Sequence, residues 1–208
     1  MANNIVTAKV KIRGVRPLMW HVFGPDALPL EKQEKTGVAG NDPEEWRKTY
    51  TATKTGQLYM PGTYAFATII DGAKYTKKGK GSIQKLVAAT LQIIEDKLLV
   101  NRKIPVDMGD NPEKYYNADG EPVYIDIRGV RNPSTRSRNI RYRVTASPGR
   151  ETEFTVMFDK TIVSRVEIQA CLRDAGVLSG IADGRAMGMG RFEVVSYQEL
   201  DDAKEKTA

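Results

Sequence analysis

One stretch decides the fold: residues 152–176 read TEFTVMFDKTIVSRVEIQACLRDAG. Over 152–159 apolar side chains recur at every second position, which predicts a half-buried β-strand. A helix follows, because Ser164 and the Glu167 three positions later form a capping box. Gly176 is predicted to end this helix. A strand that leads directly into a helix indicates a mixed α+β protein.

The other elements lie on both sides of this stretch. Residues 5–13 alternate between apolar and polar side chains, which predicts a first strand. A turn at 61–63 leads into a first helix. A strand over 140–145 is predicted to form a hairpin with the strand just described, through the turn at 147–149. Residues 192–197 form the last strand.

The order of elements is β-α-β-β-α-β, the ferredoxin-like (RRM-like) plan of a four-stranded antiparallel sheet with two helices on one face. We expect one domain over residues 1–198, with insertions at about 24–56 and 76–137. A helix over 83–94 is predicted inside the second insertion. Residues 199–208 form a polar C-terminal tail. The fold class is therefore α+β with long inserted elements.

The composition excludes several classes of protein. Hydrophobic residues make up 40% of the 208 and charged residues 28%, too apolar for a disordered chain and too polar for a membrane protein. One cysteine and one histidine cannot form an intrachain disulfide or a zinc cage of thiolates and imidazoles. We expect a cytoplasmic protein without a membrane partner.

Basic residues are concentrated in two segments. Residues 127–150 contain seven arginines and no acid, and residues 74–85 contain five lysines and no acid. Elsewhere 20 basic residues are outnumbered by 26 acidic ones, although the whole chain carries +6. A polyanion relieves the repulsion among crowded cations, and guanidinium groups match phosphate oxygens. The pattern predicts a surface that binds nucleic acid, with Arg141 and Arg143 on the outer face of their strand. The alternative is that the two segments are simply solvated loops.

A glycine-rich stretch, residues 180–192, reads GIADGRAMGMGRF. It precedes a strand, so it is not a dinucleotide-binding fingerprint, which joins a strand to a helix. Glycines permit positive φ angles and let a backbone approach a ligand closely. Arg185 and Arg191 bracket the stretch, which suggests a loop that contacts an anion.

Three motifs occur in a characteristic order: TGVAGNDP at 36–43, GQLYMPGT at 56–63, and the glycine-rich loop at 184–192. In this order the chain resembles the RAMP superfamily of CRISPR-associated proteins, most closely the backbone subunits that coat guide RNA in type III effector complexes. It departs from that pattern at Ala39, where the family has glycine, and at 64–67, where the family has small polar residues and a lysine.

The resemblance implies a ferredoxin-like core with thumb and finger insertions, copies arranged side by side along RNA, and possible partner subunits of an effector complex. It matches Asp42 to the metal-dependent RNA-cleaving residue of such subunits, in which case Mg²⁺ would be required; otherwise we expect no cofactor or metal. Related endoribonucleases use a histidine near the first strand, which here is His21. Packing of His21 among apolar neighbours, and a helix start at Asp42, are the simpler interpretations.

We expect a non-catalytic protein that binds single-stranded nucleic acid with little sequence preference, and guide RNA is the ligand we favour. The alternatives are a phage-type single-stranded DNA-binding or recombination accessory protein, an inhibitor that imitates a backbone subunit, and an endoribonuclease that uses His21 or Asp42. Gly184, Gly188 and Gly190 give the glycine-rich loop its backbone freedom. The residues expected to contact nucleic acid are Lys74, Lys77, Lys78, Lys80, Lys85, Arg128, Arg131, Arg136, Arg138, Arg141, Arg143, Arg185, Arg191 and Trp46.

Overall fold

The computed structural model describes residues 4–22, 42–131, 136 and 138–200. The following lie outside the described residues: the part of the expected insertion up to residue 41, which includes 36–41 of the motif at 36–43, the arm tip at 132–135, and residues 201–208 of the tail. The strands are β1 (Ile5–Gly14), β2 (Leu18–Met19), β3 (Gln57–Pro61), β4 (Lys77–Lys78), β5 (Gly81–Ser82), β6 (Gln92–Ile93), β7 (Lys97–Lys103), β8 (Val123–Arg131), β9 (Arg138–Ala146), β10 (Glu151–Asp159) and β11 (Phe192–Leu200). The α-helices are α1 (Gly62–Gly72), α2 (Gln84–Thr90) and α3 (Arg165–Asp174).

The main sheet is antiparallel and has the order β11-β1-β10-β7-β3, with β6 also paired to β10. Without the edge strand β3, this is the ferredoxin-like order, in which the first strand lies between the last and the third. Helices α1 and α3 pack against each other. Their apolar residues join those of β1 and β10 in one buried cluster. The α+β class and the ferredoxin-like plan are confirmed.

The two elements with the clearest local signals form as predicted. In β1 the side chains of Val6, Ala8, Val10 and Ile12 are all buried. The hydroxyl of Ser164 accepts a hydrogen bond from the backbone of Glu167, whose carboxylate accepts one in return, which completes the capping box of α3. Local patterning was sufficient here because each signal involves neighbours in sequence.

The prediction that Gly176 ends this helix is wrong. The helix continues as a π-turn, Ala175–Ser179, and ends at Gly180, where φ is +80°. Gly176 is buried against β11, and a Cβ atom there would overlap the carbonyl oxygen of Phe192. Glycine is needed at this position for close packing between the helix and the sheet, whereas Gly180 provides the positive φ of the helix end.

The hairpin predicted between 140–145 and 152–159 is also wrong. Strand β9 pairs with β8 and β2 in a separate three-stranded sheet. The strands that follow α1 and pair with β10 are β6 and β7, which lie within the predicted insertion at 76–137. The predicted helix over 83–94 ends at Thr90, because Leu91 is extended and the backbone of Ile94 donates to Thr155.

Strands β8 and β9 form a long two-stranded ladder, which we call the arm; Arg131 pairs with Arg138 at its far end and Val123 with Ala146 at its base. The lower half of β9 is covered on both faces, so Arg143 and Thr145 are buried rather than outward-facing. The 3-10 helix Glu45–Lys48 packs against β9. Within the described ranges, no helix is long and apolar enough to cross a membrane.

Candidate nucleic-acid interface

One cleft, with a volume of about 620 Å³, is lined by two residues of the lysine-rich segment, Lys74 and Tyr75, and by two of the arginine-rich segment, Val130 and Arg143. The end of α1 and the turn after it form one wall, the arm forms a second, and the glycine-rich loop forms the third. The residues that line the cleft are Asp71, Lys74, Tyr75, Val130, Arg143, Leu178, Ser179, Ala182, Asp183, Gly184, Arg185, Ala186 and Met187. The fold therefore brings together residues that are distant in the sequence, such as Tyr75 and Val130.

The glycine-rich loop presents Arg185 to the cleft. Gly184 and Gly188, with φ of +72° and +77°, flank a 3-10 turn at Arg185–Met187. Gly190 also has a positive φ, and a Cβ atom there would overlap the carbonyl oxygen of Ile181. The glycines thus shape a tight turn that carries an arginine toward the end of α1.

Asp71 holds two of the cleft cations at once. Its carboxylate lies 2.5 Å from Lys74 Nζ and 2.6 Å from Arg185 Nη1. Burial opposes the ionisation of Asp71, but the hydrogen bonds from Lys74 and Arg185 outweigh it and keep the pKa of this carboxyl below its ordinary value. One negative charge is shared by two positive ones, so this wall of the cleft keeps a net positive charge.

Arg143 has a different role from the predicted phosphate contact. Its side chain is 8% exposed, and its Nε lies 3.1 Å from Oδ2 of Asp183. The backbone N–H of Asp183 donates to Met19 O at 3.1 Å, which fixes the loop beside β2. Arg143 therefore anchors the glycine-rich loop to the arm from beneath, and it cannot extend toward a strand as predicted.

Other predicted contacts are partly neutralised by acids from distant parts of the chain. Arg141 pairs with Glu45, which also accepts the backbone N–H of Tyr142. Arg128 pairs with Asp126 on the same strand. Lys78 Nζ lies 3.0 Å from Oε1 of Glu167 at the start of α3. These ion pairs position the arm and the β4–β5 hairpin and leave less charge for a ligand.

The remaining predicted cations are exposed, and none forms an ion pair with an acid that the structure describes. Arg131 and Arg138 are directly opposite each other at the end of the arm, so two like charges face each other there. The six exposed cations are Lys77, Lys80 and Lys85 around the β4–β5 hairpin and Arg131, Arg136 and Arg138 on the arm.

Two predicted contacts lie elsewhere. Trp46 is only 2% exposed, and its ring stacks on Tyr50 with a centroid separation of 6.3 Å, so it cannot stack on a base as predicted. Arg191 does not line the cleft; its carbonyl accepts the N–H of Val15 at 2.9 Å, beside the end of β1. The ring of Trp46 is buried against Tyr50, and the backbone of Arg191 is hydrogen-bonded to Val15 beside β1, so neither residue faces the cleft.

The two predicted catalytic candidates occupy different environments. Asp42 is exposed; its carboxylate accepts the backbone N–H of Glu44 at 3.1 Å and its backbone carbonyl accepts that of Glu45 at 3.0 Å, in the turn that precedes the 3-10 helix Glu45–Lys48. Among the described residues no three His, Cys, Asp or Glu side chains are grouped as metal ligands. Cleavage by Asp42 with Mg²⁺ stays a prediction.

His21 is half-buried beside the cleft. Burial, followed by the positive charge of Arg143, lowers the pKa of this imidazole. Its Nδ1 is buried and has no hydrogen-bond partner among the described groups. His21 lines a second, smaller pocket of about 260 Å³ that adjoins the cleft.

Sequence reasoning missed three residues that line these pockets: Asp71 and Asp183 in the cleft, and Tyr64 in the smaller pocket beside it. Asp183 lies within the glycine-rich stretch quoted for its arginines, between Gly180 and Gly184. Its position two residues before Arg185 was the one signal available, because an acid beside basic side chains favours an ion pair. Asp71 lies three residues before its partner Lys74, but its second partner, Arg185, is 114 positions away and could not be inferred from the sequence.

Comparison with known proteins identifies no family for this chain. No family model matches the chain, and no curated protein matches it. Among solved structures, the chain is similar to one described as "Cryo-EM structure of the Type III-B Cmr-beta bound to cognate target RNA", at 10% sequence identity and a TM-score of 0.49. The likeness covers 95% of this chain and 61% of that one. The function must therefore be inferred from the residues of this chain.

Proposed function

We propose that this protein binds single-stranded nucleic acid, RNA in the first place, along the cleft between α1, the arm and the glycine-rich loop. The observation that carries the proposal is a cleft whose lining includes residues of both cation-rich segments and of the glycine-rich loop. Lys74 and Arg185 line it, and the two segments carry six further exposed cations that form no ion pair with an acid in the described ranges. A strand that follows this path would place its phosphates near both groups.

The chemistry of the cleft favours backbone contacts over base contacts. Arginine forks pair with phosphate oxygens, and such contacts position a strand without reading its sequence. We therefore propose that binding tolerates most sequences. We also propose that copies lie side by side on one RNA, as in a guide-RNA complex, so that each cleft continues into the next.

The test is equilibrium binding of a fluorescein-labelled 20-nucleotide uridine-rich RNA, measured by anisotropy from 50 to 200 mM salt. With six to eight phosphates bound, affinity should fall by roughly 300- to 2,000-fold over this range. A flat salt response would overturn the proposal. Double-stranded RNA of the same length is the comparison, and weaker binding of the duplex than of the single strand would support a site for one strand.

DNA of the same length and sequence separates the proposed ligand from its nearest alternative. RNA offers 2′-hydroxyl groups that DNA lacks. Tighter binding of RNA supports the guide-RNA role, whereas tighter binding of DNA supports a single-stranded DNA-binding role. Failure to bind either strand, together with co-purification of effector subunits, would favour the inhibitor. Nuclease digestion of the RNA complex then tests assembly, since side-by-side copies protect lengths that increase by a fixed increment.

A further inference from the structure

The cleft is lined by apolar side chains as well as by cations. Three large ones are well exposed: Tyr75 at 53%, Leu178 at 42% and Met187 at 47%. They belong to the turn after α1, to the π-turn that extends α3 and to the glycine-rich loop, respectively. Exposed apolar side chains that are gathered in a cleft and rimmed by polar groups mark a binding surface. The ligand should therefore have apolar surface as well as negative charge.

The turn that carries Tyr75 is held in place through both of its neighbours. On one side, Lys74 Nζ lies 2.5 Å from the carboxylate of Asp71 at the end of α1. On the other, the hydroxyl of Thr76 donates to the carboxylate of Asp174 in α3 at 2.6 Å. The backbone under the exposed ring is therefore ordered before any ligand binds, which lowers the entropy that binding must cost.

The ring of Tyr75 differs from other tyrosine rings of the chain in what lies against it. Several of them have a tryptophan, a second tyrosine or a lysine as a partner: Tyr50 with Trp46, Tyr116 with Tyr142, Tyr59 with Lys97 and Tyr115 with Lys114. Among the described residues, the ring of Tyr75 has no aromatic or cationic partner of this kind. An exposed aromatic face beside cations is the arrangement on which the bases of a single strand stack.

We propose that Tyr75 stacks on a base of the RNA strand that lies in the cleft, and that Leu178 and Met187 complete the apolar surface that receives this base. The inference rests on the proposed function and adds to it a contribution to affinity that does not depend on charge. Lys74 and Arg185, which share the carboxylate of Asp71, provide the charge for the neighbouring phosphates. A nucleotide matches both parts of this surface, because its base has a flat apolar face and its phosphate is an anion.

Stacking is consistent with binding that tolerates most sequences and favours an unpaired strand. The tyrosine ring contacts the face of a base rather than its edge, and every base has such a face, so affinity is gained without reading the sequence. In a duplex the bases already stack on one another, whereas the bases of a single strand can turn a face toward an aromatic side chain. The role of Tyr75 would therefore be to select strands whose bases are free.

The experiment compares Tyr75→Ala and Tyr75→Phe with the unmodified protein. Two probes are used, the labelled 20-nucleotide uridine-rich RNA and inorganic polyphosphate of matching length, which has no bases. Tyr75→Ala should weaken the binding of RNA by roughly 5- to 150-fold, the loss of one stacked base. Its affinity for polyphosphate and the slope of log RNA affinity against log salt concentration should not change, because no charge is removed. Tyr75→Phe keeps the ring and should bind RNA as the unmodified protein does.

Leu99→Ala is the matched control, because Leu99 is 47% exposed on β7 and does not line the cleft; RNA affinity should stay unchanged. Unchanged RNA affinity in Tyr75→Ala would overturn the inference, while salt-dependent binding of RNA would leave the proposed function intact. An equal loss of affinity for RNA and polyphosphate would also overturn it, since Tyr75 would then support the shape of the cleft. If the unmodified protein binds neither probe, both the inference and the proposed function are wrong, and the exposed apolar residues would suit a protein partner instead.

Discussion

The double replacement Arg131→Gln/Arg138→Gln tests the proposed binding role of the arm separately from its structural role. The two arginines face each other directly across β8 and β9, are exposed, and form no ion pair with an acid that the structure describes. Directly opposed like charges destabilise a strand pair by about 0.2–1 kcal/mol. Removing them should therefore raise the free energy of unfolding slightly, while it weakens the binding of RNA.

The size of the binding effect follows from how many phosphate groups the variant can no longer neutralise. Each phosphate neutralised on a single strand adds about 0.7 to the slope of log affinity against log salt concentration. Six exposed cations give a slope of about −4, and the double variant should have a slope of about −3. At about 0.1 M salt this difference corresponds to a roughly 25-fold loss of affinity.

The assay is fluorescence anisotropy with the 20-nucleotide RNA at several salt concentrations, combined with urea unfolding of the same samples. Lys54→Gln/Lys103→Gln is the matched control, because it removes two exposed lysines beside the edge strand β3. The control should leave the slope unchanged.

Two results would refute this reasoning. If the arm variant and the control lower the slope equally, the effect is one of net charge and the arm is not a contact site. If the arm variant loses stability, the two arginines contribute to folding in a way that their opposed positions do not explain.

Three further predictions concern stability and pH. Ser164→Ala removes the cap of α3 and should lower the free energy of unfolding by about 1 kcal/mol in urea titration; no change would show that the cap is dispensable. Gly176→Ala should destabilise the protein by about 1–3 kcal/mol, because the added Cβ overlaps Phe192 O. Helix propensity alone predicts that alanine at this position would raise the stability of the protein. Thermal unfolding of the variant therefore decides between a steric loss and a gain from propensity. Burial lowers the pKa of His21, so as pH falls below about 6.5 the unfolded chain takes up the proton first and stability declines. His21→Gln should reduce this decline between pH 7 and pH 5; an identical pH profile would contradict it.

Much of the fold could be predicted from the sequence because its signals are local. The alternation of β1 and the capping box of α3 involve residues a few positions apart. The strands β6 and β7 were missed because their identity depends on pairing with β10, more than 50 residues later. The short apolar run at 91–94 continues the helical spacing of α2, so periodicity could not show where the helix ends.

The candidate site was predictable from the uneven distribution of charge, but its details were not. The segments with no acid of their own receive acids from elsewhere: Glu45 for Arg141, Asp183 for Arg143. Such pairs depend on the tertiary fold, and they decide which cations remain available. Burial on both faces of β9 likewise cannot be inferred from alternation, which assumes that one face meets water.

The most direct test of the central claim is photo-crosslinking of bound RNA that contains 4-thiouridine, followed by mass spectrometry of the attached peptides. We expect crosslinks in residues 74–85, in the arm at 128–138, and in the glycine-rich loop at 184–191. Crosslinks confined to other surfaces, such as the edge strand β3 and its neighbour β7, would contradict the assignment of the cleft as the RNA-binding site.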